Sequence, residues 1–413
     1  MNILVQLHKL RLWGIKGAIN YLKKIVLEKR KMRILQDNAE RYPLKPAKGI
    51  TLLADMTGRS SLSKVMRDLA FKMKQAGIPF QAYDLGTNGD IPSQDIEDLL
   101  TPLKEFHVLK YNCILEMFSS PLPPGLPLKR SRVVFWEFTT GLLEYDPAIG
   151  NVDTVIGMSD FDVDVFRNLL PKTTNVKKIL YPFMFPPKDI PSSSDVRRRY
   201  GLSDDAFVVF FNFDYGSSFN RKNPDGAMRA FAKAFANIPK ARLVFKTKRA
   251  KQHSDAHRRL KSLATELDIA NQFISIDNFI PMSDIYGLTA ACDVYLSLHR
   301  GEGFGLGIAE AMSLGKPVVV TDYSSTTEFC KPGNSIPVPY RIVAAPHELL
   351  DNPCYDAVKT WAEPDIDSAA LSLRDLYDNP AKCSQLGCAA KQFITDYFSI
   401  ENFKKSIESF LNS

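Results

Sequence analysis

The chain has 413 residues, 45% hydrophobic and 24% charged, which predicts a soluble globular protein of two domains rather than one. No apolar stretch reaches the length that spans a bilayer, and nothing resembles a secretory signal with its cleavage site. The six cysteines, at 113, 292, 330, 354, 383 and 388, show no paired spacing, and no histidine lies near Cys383 and Cys388, so a disulfide framework and a zinc site are excluded and a reducing cytoplasm is the expected setting.

The net charge of +7 is unevenly spread. Residues 1–48 hold twelve Lys or Arg and three Asp or Glu, a net of +9, which leaves −2 for the remainder. Here Leu4, Leu7, Leu10, Trp13 and Ile15 alternate with His8, Lys9, Arg11 and Lys16, and Ile19, Leu22, Ile25 and Val26 sit among Lys23, Lys24, Lys29, Arg30, Lys31 and Arg33. Apolar and basic faces at helical spacing predict one or two amphipathic helices at the interface of an anionic membrane, each basic side chain contributing about 1 kcal/mol. The expected location is the inner face of the membrane, as a peripheral protein. Nucleic acid is not an expected partner, since there is little aromatic interleaving and no known module.

Pro43 and Pro46 mark a linker, and Ile50 to Ala54 starts the first strand. A helix follows with the apolar stripe Leu62, Val65, Leu69 and Met73, ended by Gly77 before a second strand. Strands at Cys113 to Met117, Val133 to Trp136 and Lys178 to Tyr181, with a helix at Asp162 to Leu170, complete a first α/β domain over residues 49–190. Pro182, Pro186, Pro187 and Pro191, followed by three serines, read as the interdomain linker.

A second domain, residues 191–395, alternates as clearly. Strand Phe207 to Phe213 precedes helix Pro224 to Phe235, and strand Arg242 to Lys246 precedes helix Asp255 to Leu267. Strand Phe273 to Ile276, helix Asp284 to Ala291 and strands Val294 to Leu298 and Val318 to Thr321 follow, with closing helices near 366 to 376, 380 to 395 and 400 to 412. Such alternation predicts parallel sheets wrapped by helices, with ligands at the carboxyl ends of the strands.

The most informative stretch is EGFGLGIAE, residues 302–310. It joins the strand ending at Leu298 to a helix ended by Gly315 and Pro317. A strand, a glycine-rich turn and a helix start make an anion site, whose donors are the backbone amides of Gly303, Phe304, Gly305 and Leu306. Glu302 and Glu310 bracket it. Carboxylates repel phosphate and accept hydrogen bonds from hydroxyls, so a ligand carrying both phosphates and hydroxyls, a nucleotide sugar, fits. Stabilising a leaving diphosphate without a metal requires cations and helix N-termini. Arg221 and Lys222 stand after a strand and before the helix start at Asn223-Pro224. Lys246 ends a strand on the same side, and Arg300 directly precedes the glycine turn, placed to neutralise Glu302 or to contact the donor.

The run SLHRGEGFGLGIAEAMSLGKPVV, residues 297–319, with GKPVVVTDYSSTTE after the glutamates, resembles the retaining glycosyltransferases of family 4, which have the GT-B fold. FDYGSSFNRKNPDGAMRAFAKAF (213–235), WEFTTG (136–141) and WAEPD (361–365) extend the resemblance over most of the chain after residue 49. It implies two Rossmann-like domains facing a cleft, with the last helix, within 396–413, crossing back onto the first domain. It implies that Glu302 contacts the donor sugar, Glu310 the ribose, and the Arg221-Lys222 loop the diphosphate. Here the two cations are adjacent and Ser217 stands where a separate arginine is commonly found; Lys222 aligns better with the family lysine. Glu328 resembles the glutamate that closes the motif, and Asn278 lies where the base would be held.

The acceptor side is poorly written. The histidine that family members often carry after a first-domain strand is absent from CILEMFSS, residues 113–120. Gly58 and Ser60 stand in for the usual glycine-rich turn, and Glu116 and Glu137 are candidates for polar contacts. Asp162 and Asp164 diverge on a predicted helix and Asp367 lies in a helix start, so no metal and no cofactor are expected. The expected activity is metal-independent transfer of a hexose, with retention, from a nucleotide sugar to a glycan or lipid-linked acceptor. The alternatives are a non-catalytic subunit of the same fold, or an epimerase or phosphorylase built on it.

Overall fold

The computed structural model describes residue 26 and residues 46–58, 60–86, 94–102, 110–117, 129–146, 149–346 and 355–413. The basic segment 1–48 lies outside the described residues apart from Val26 and residues 46–48. The chain divides into two compact units, one holding residues up to 135, 142–184 and 398–413, the other 136–141 and 185–397.

In the first unit the described strands are β1 (Ala47–Ala54), β2 (Phe80–Asp84), β3 (Tyr111–Glu116), β4 (Lys129–Val133), β5 (Thr154–Gly157) and β6 (Asn175–Lys178). They form one parallel sheet in the order β2-β1-β3-β4-β5-β6. Residues 49–54 of β1 are buried without alternation, as expected of a parallel strand covered on both faces. The Ser61–Ala76 helix begins at Ser60, whose hydroxyl accepts from the Ser63 amide, and ends where Gly77 turns left-handed at φ 67°. Val65, Leu69 and Met73 are its buried stripe. The Ile400–Asn412 helix packs on it within this unit, burying Phe403, Ile407 and Phe410. Its Ser406 hydroxyl accepts from the Leu180 amide at 2.8 Å.

The second unit holds β7 (Phe207–Asp214), β8 (Ala241–Lys248), β9 (Phe273–Ile276), β10 (Val294–Ser297), β11 (Val318–Thr321) and β12 (Ile336–Val338). These form a second parallel sheet in the order β12-β11-β10-β7-β8-β9. The strand order reverses beside β7 and β10, which sit side by side, and ligands of open α/β sheets lie at such a point. An antiparallel pair, β13 (Tyr340–Ala344) and β14 (Thr360–Pro364), completes the unit.

Two predicted strands are displaced. Val133 to Trp136 and Lys178 to Tyr181 were expected, but the strands run over Lys129–Val133 and Asn175–Lys178. In both, the apolar signal belongs to the chain just past the strand: Trp136, Ile179 and Tyr181 are buried outside regular structure. β6 is a sheet edge, where the exposed Asn175 and Lys178 blunt the strand against further pairing. The β13–β14 hairpin was not predicted, although WAEPD had been singled out for its resemblance. Among the described residues, no helix is long and apolar enough to cross a membrane.

Candidate functional site

The site is built where β7 and β10 meet. After β7, Ser218 and Asn223 take φ of 66° and 54°, left-handed values that cost non-glycine residues free energy. Capping holds both in place. The Ser218 hydroxyl accepts from the Arg221 amide at 3.4 Å, and Asn223 Oδ1 accepts from the Gly226 amide at 3.1 Å. Asn223 Nδ2 also donates to the Leu298 carbonyl at 2.8 Å, tying the loop to the end of β10. The single turn Phe219–Lys222 thus presents Arg221 and Lys222 to the glycine turn.

Lys222 Nζ donates to Glu302 Oε1. Arg221, only 5% exposed, donates through Nη1 to the Gly301 carbonyl at 2.7 Å and through Nη2 to the Ser217 carbonyl at 2.8 Å. Its guanidinium lies 3.7 Å from Glu302 Oε2 on one side and 3.7 Å from Glu137 Oε1 on the other. The Glu302 amide donates to the Ser324 hydroxyl at 2.8 Å. Behind it, His299 is fully buried, with Nε2 3.2 Å from the Tyr323 carbonyl and Nδ1 3.2 Å from the Ser297 hydroxyl.

These contacts set the charges. Burial alone raises the Glu302 carboxyl, but Lys222, Arg221 and His299 outweigh it and hold its pKa at about 2. Burial pushes the His299 imidazole down to about 4, against the opposing pull of Glu302. Burial lowers the Lys222 ammonium, with Glu302 acting the other way. Burial raises the Glu137 carboxyl, and Arg221 opposes that rise. Near neutral pH, Glu302 is ionised and His299 neutral.

The glycine turn opens onto the Leu306–Ser313 helix. Gly305 has φ 89°, and a Cβ there would lie 2.5 Å from Thr326 Cγ2, so this position accepts only glycine without strain. No side-chain cap hydrogen bond is made at Gly305, the residue that opens the helix. That is the geometry of an anion site. Phe304 is buried against Phe329 with ring centres 5.3 Å apart. Glu310 follows on the same helix, buried, with Oε1 accepting from the Tyr286 hydroxyl at 3.4 Å.

Arg300 does not neutralise Glu302, the first of its two expected roles. Its guanidinium forms a fork on Glu363 of β14, at 2.6 and 2.8 Å, and Nη1 donates to the Asn220 carbonyl at 2.7 Å. It lies 4.6 Å from the centre of the Trp361 ring, and its amide donates to the Arg221 carbonyl at 2.8 Å. The cations on Glu302 are Lys222 and Arg221, while Arg300 joins the hairpin to the loop that carries them.

Lys246 is buried on β8, with Nζ donating to the Thr247 carbonyl. Burial lowers its ammonium, which Asp277 opposes. Asn278 is exposed in the loop after β9, beside Phe279, which is 90% exposed. Glu328 accepts from the Tyr397 hydroxyl and so joins the Ser324–Glu328 turn to the Pro380–Tyr397 helix.

In the first unit, the Gly58 amide donates to Asp55 Oδ1 at 2.8 Å, and Ser60 caps the Ser61–Ala76 helix. Glu116, considered a polar contact for substrate, is fully buried and paired with Arg132 at 3.1 Å and Arg130 at 3.5 Å. Its role is structural, because burial brings the pair together inside the sheet. Asp162 is buried at the start of the Asp160–Leu169 helix, where it accepts from the Met158 amide at 3.3 Å. Glu137, expected on the acceptor side, belongs with 136–141 to the second unit and faces Arg221.

Sequence reasoning did not single out His299, Ser324, Tyr355 or Glu363. All but Tyr355 lie inside stretches quoted for their resemblance, and a polar residue within an apolar strand end, as in Ser297-Leu298-His299, was the available signal.

Residues 194–352 match the family model for glycosyl transferases group 1. A curated protein, the D-inositol 3-phosphate glycosyltransferase of Stackebrandtia nassauensis, is 32% identical over 179 residues, which is 42% of this chain and 38% of that protein. The chain thus matches well under half the length of that relative. Among solved structures, Anabaena HepE in complex with UDP and glucose is similar over 89% of this chain and 100% of its own, with a TM-score of 0.61 and 17% identity. The sucrose-phosphate synthase of Thermosynechococcus elongatus is similar over 89% of this chain and 98% of its own, with a TM-score of 0.62 and 15% identity. A glycosyltransferase from Rickettsia africae gives 0.63 and 12% over 88% of this chain and 98% of its own. Two parallel six-stranded sheets and these structural relatives show the GT-B fold, and the segment 194–352 within the second unit is similar to the glycosyl transferases group 1.

Proposed function

We propose that the protein transfers a hexose, with retention and without a metal ion, from a nucleoside diphosphate sugar to a glycan or lipid-linked acceptor. The observation that carries this reading is the Lys222–Glu302 pair set at an uncapped helix N-terminus: one cation, one ionised carboxylate and a cluster of backbone amides within one turn. The diphosphate docks on the Leu306–Ser313 N-terminus, beside Arg221 and Lys222, while Glu302 and Glu310 accept hydrogen bonds from sugar and ribose hydroxyls. The bond from the anomeric carbon to the phosphate oxygen breaks, and the acceptor oxygen bonds to that carbon on the same face. The acceptor's proton passes to the departing phosphate. Asn278, in the loop after β9, is assigned to the base. Lys246 is kept as a second phosphate ligand, and Glu328 as a support of the phosphate loop. Gly58 and Ser60 are assigned to the acceptor side, and residues 1–48 to an anionic membrane surface.

The test is a panel of UDP, GDP, ADP and dTDP sugars, scored by thermal stabilisation and slow hydrolysis. UDP-glucose comes first, because the similar Anabaena structure holds UDP and glucose. One hit is expected; silence across the panel in folded protein points instead to a non-catalytic subunit. Removing residues 1–40 is expected to abolish binding to phosphatidylserine vesicles and to leave donor binding intact, and equal vesicle binding by the shortened chain would sink the membrane assignment.

A further inference from the structure

Arg221 is held between two carboxylates, and only one of them belongs to the glycine turn. The other, Glu137, comes from Trp136–Gly141, a segment of the second unit lying in sequence within the first. This segment is seated tightly: a Cβ on Gly301 would lie 2.6 Å from the Glu137 carbonyl oxygen. Trp136 and Phe138 pack edge-on against Tyr355, with ring centres 5.7 and 5.1 Å away. The Tyr355 hydroxyl hydrogen-bonds Glu137, and its ring centre is 5.8 Å from the Arg221 guanidinium.

Charge balance then poses a problem. Arg221 and Lys222 together match Glu302 and Glu137, and Arg300 is matched by Glu363. A docking diphosphate brings two more negative charges into a largely buried cluster whose cations are already matched by carboxylates, which is costly where the dielectric is lowered. One carboxylate must therefore yield. Glu302 faces both cations and receives the Lys222 hydrogen bond. Glu137 is ion-paired with Arg221 at 3.7 Å, feels Lys222 as a weaker charge, and belongs to a different segment from the turn.

We propose that Glu137 is the counter-charge Arg221 gives up to the donor's diphosphate, so that donor binding takes up one proton from solvent onto the Glu137 carboxylate and product release returns it. Glu137 is a positioning residue in this scheme: it holds Arg221 before the donor arrives and sets the pH dependence of donor affinity. The proposal rests on the reading that the diphosphate docks beside Arg221 and Lys222. The charged groups around Glu137 are Arg221 and Lys222 of the Phe219–Lys222 turn and Glu302 of the glycine turn, with the Tyr355 hydroxyl beside it. Burial already lifts its carboxyl above the ordinary range, and nearby phosphates lift it further in the complex. The sign follows from linkage. Between the free and the bound pKa the complex holds more protons than the free protein, so affinity falls as pH rises through that window and is flat outside it.

The experiment is calorimetric titration with UDP-glucose from pH 5.5 to 8.5, in two buffers of different ionisation enthalpy, on the full chain. The diphosphate of this donor has no titrating group in that range. Wild-type protein is expected to take up protons and to bind more weakly as pH rises. Glu137→Gln is expected to bind about tenfold more tightly at the top of the range, with a flat profile and no proton uptake. Tyr355→Phe keeps the carboxylate but loses the hydroxyl bond to its charged form, and moves the falling limb to higher pH. Tighter binding is the decisive sign, since a merely structural glutamate would weaken binding when replaced. Equal or weaker binding by Glu137→Gln with the wild-type slope, or an unmoved limb in Tyr355→Phe, overturns the proposal while leaving the transferase reading intact. If no UDP, GDP, ADP or dTDP sugar binds the wild-type chain, the transferase reading falls, and this proposal with it.

Discussion

The two units each contain a strand that turns into a helix at the carboxyl end of a parallel sheet, yet the two turns use their backbone amides differently. After β1, Asp84 accepts from the Met56 amide at 2.8 Å and the Gly86 amide at 2.9 Å, Asp55 accepts from Gly58, and the Ser60 hydroxyl caps the helix. Arg67 covers the Met56 and Gly58 carbonyls at 2.9 and 2.7 Å. The polar groups of this turn's described residues are thus taken up by Asp55 and Ser60, by Asp84 of the neighbouring strand and by Arg67 of the helix. After β10 there is no side-chain cap, the glycines keep side chains out of the way, and the carboxylate of Glu302 is turned to Lys222 instead of to the amides. The difference teaches that a strand-turn-helix unit leaves its helix N-terminus open to an anion only when the local carboxylates and hydroxyls have other partners.

Breaking the open turn should cost most. Lys222→Met removes the cation nearest Glu302 and is expected to lower the rate of donor turnover by about a thousandfold with the fold retained; circular dichroism beside a turnover assay checks both halves. Glycine substitutions test whether the two turns truly differ. Gly305→Ala forces a Cβ against Thr326 at φ 89°, and a loss of about 2 kcal/mol with donor binding abolished is expected. In Gly58→Ala the Cβ meets the end of the flexible Asp55 side chain, and the glycine is not left-handed, so the loss should be clearly smaller by urea titration.

The buried histidine behind the open turn sharpens the comparison through pH. The His299 pKa is depressed to about 4, below the ordinary imidazole value of about 6.5. The unfolded chain therefore binds a proton that the folded protein refuses, and the contribution to stability present above pH 6.5 is lost as pH falls toward 4. His299→Gln should flatten the slope of unfolding free energy in that window, by about 3 kcal/mol across it. An unchanged slope would show that the imidazole is hydrated. The smallest effect is expected in the closed turn, where Ser60→Ala removes a cap and costs about 1 kcal/mol without changing donor affinity.

Much of this was legible in the sequence, for local reasons. The Phe207–Asp214 strand and the Pro224–Phe235 helix announce themselves through apolar runs and the Asn-Pro start, and the glycines of 303–307 through the close approach they permit. The displaced strands β4 and β6 were misread because burial continues beyond the hydrogen-bonded ladder, and because an edge strand reads as polar. Lys222 and Glu302 are 80 positions apart, and only their roles by resemblance suggested that they act together.

By itself the sequence determined the two α/β halves, the open glycine turn and the presence of Glu302, Glu310, Arg221 and Lys222 around it, because turn chemistry and hydrophobic period act between residues close in the chain. Which charges pair was decided only by tertiary structure. Arg300 turns to Glu363 and Trp361, Glu116 disappears into an ion pair with Arg132, and Glu137 arrives beside Arg221, since long-range burial brings distant side chains together and desolvation then compels each to find a partner.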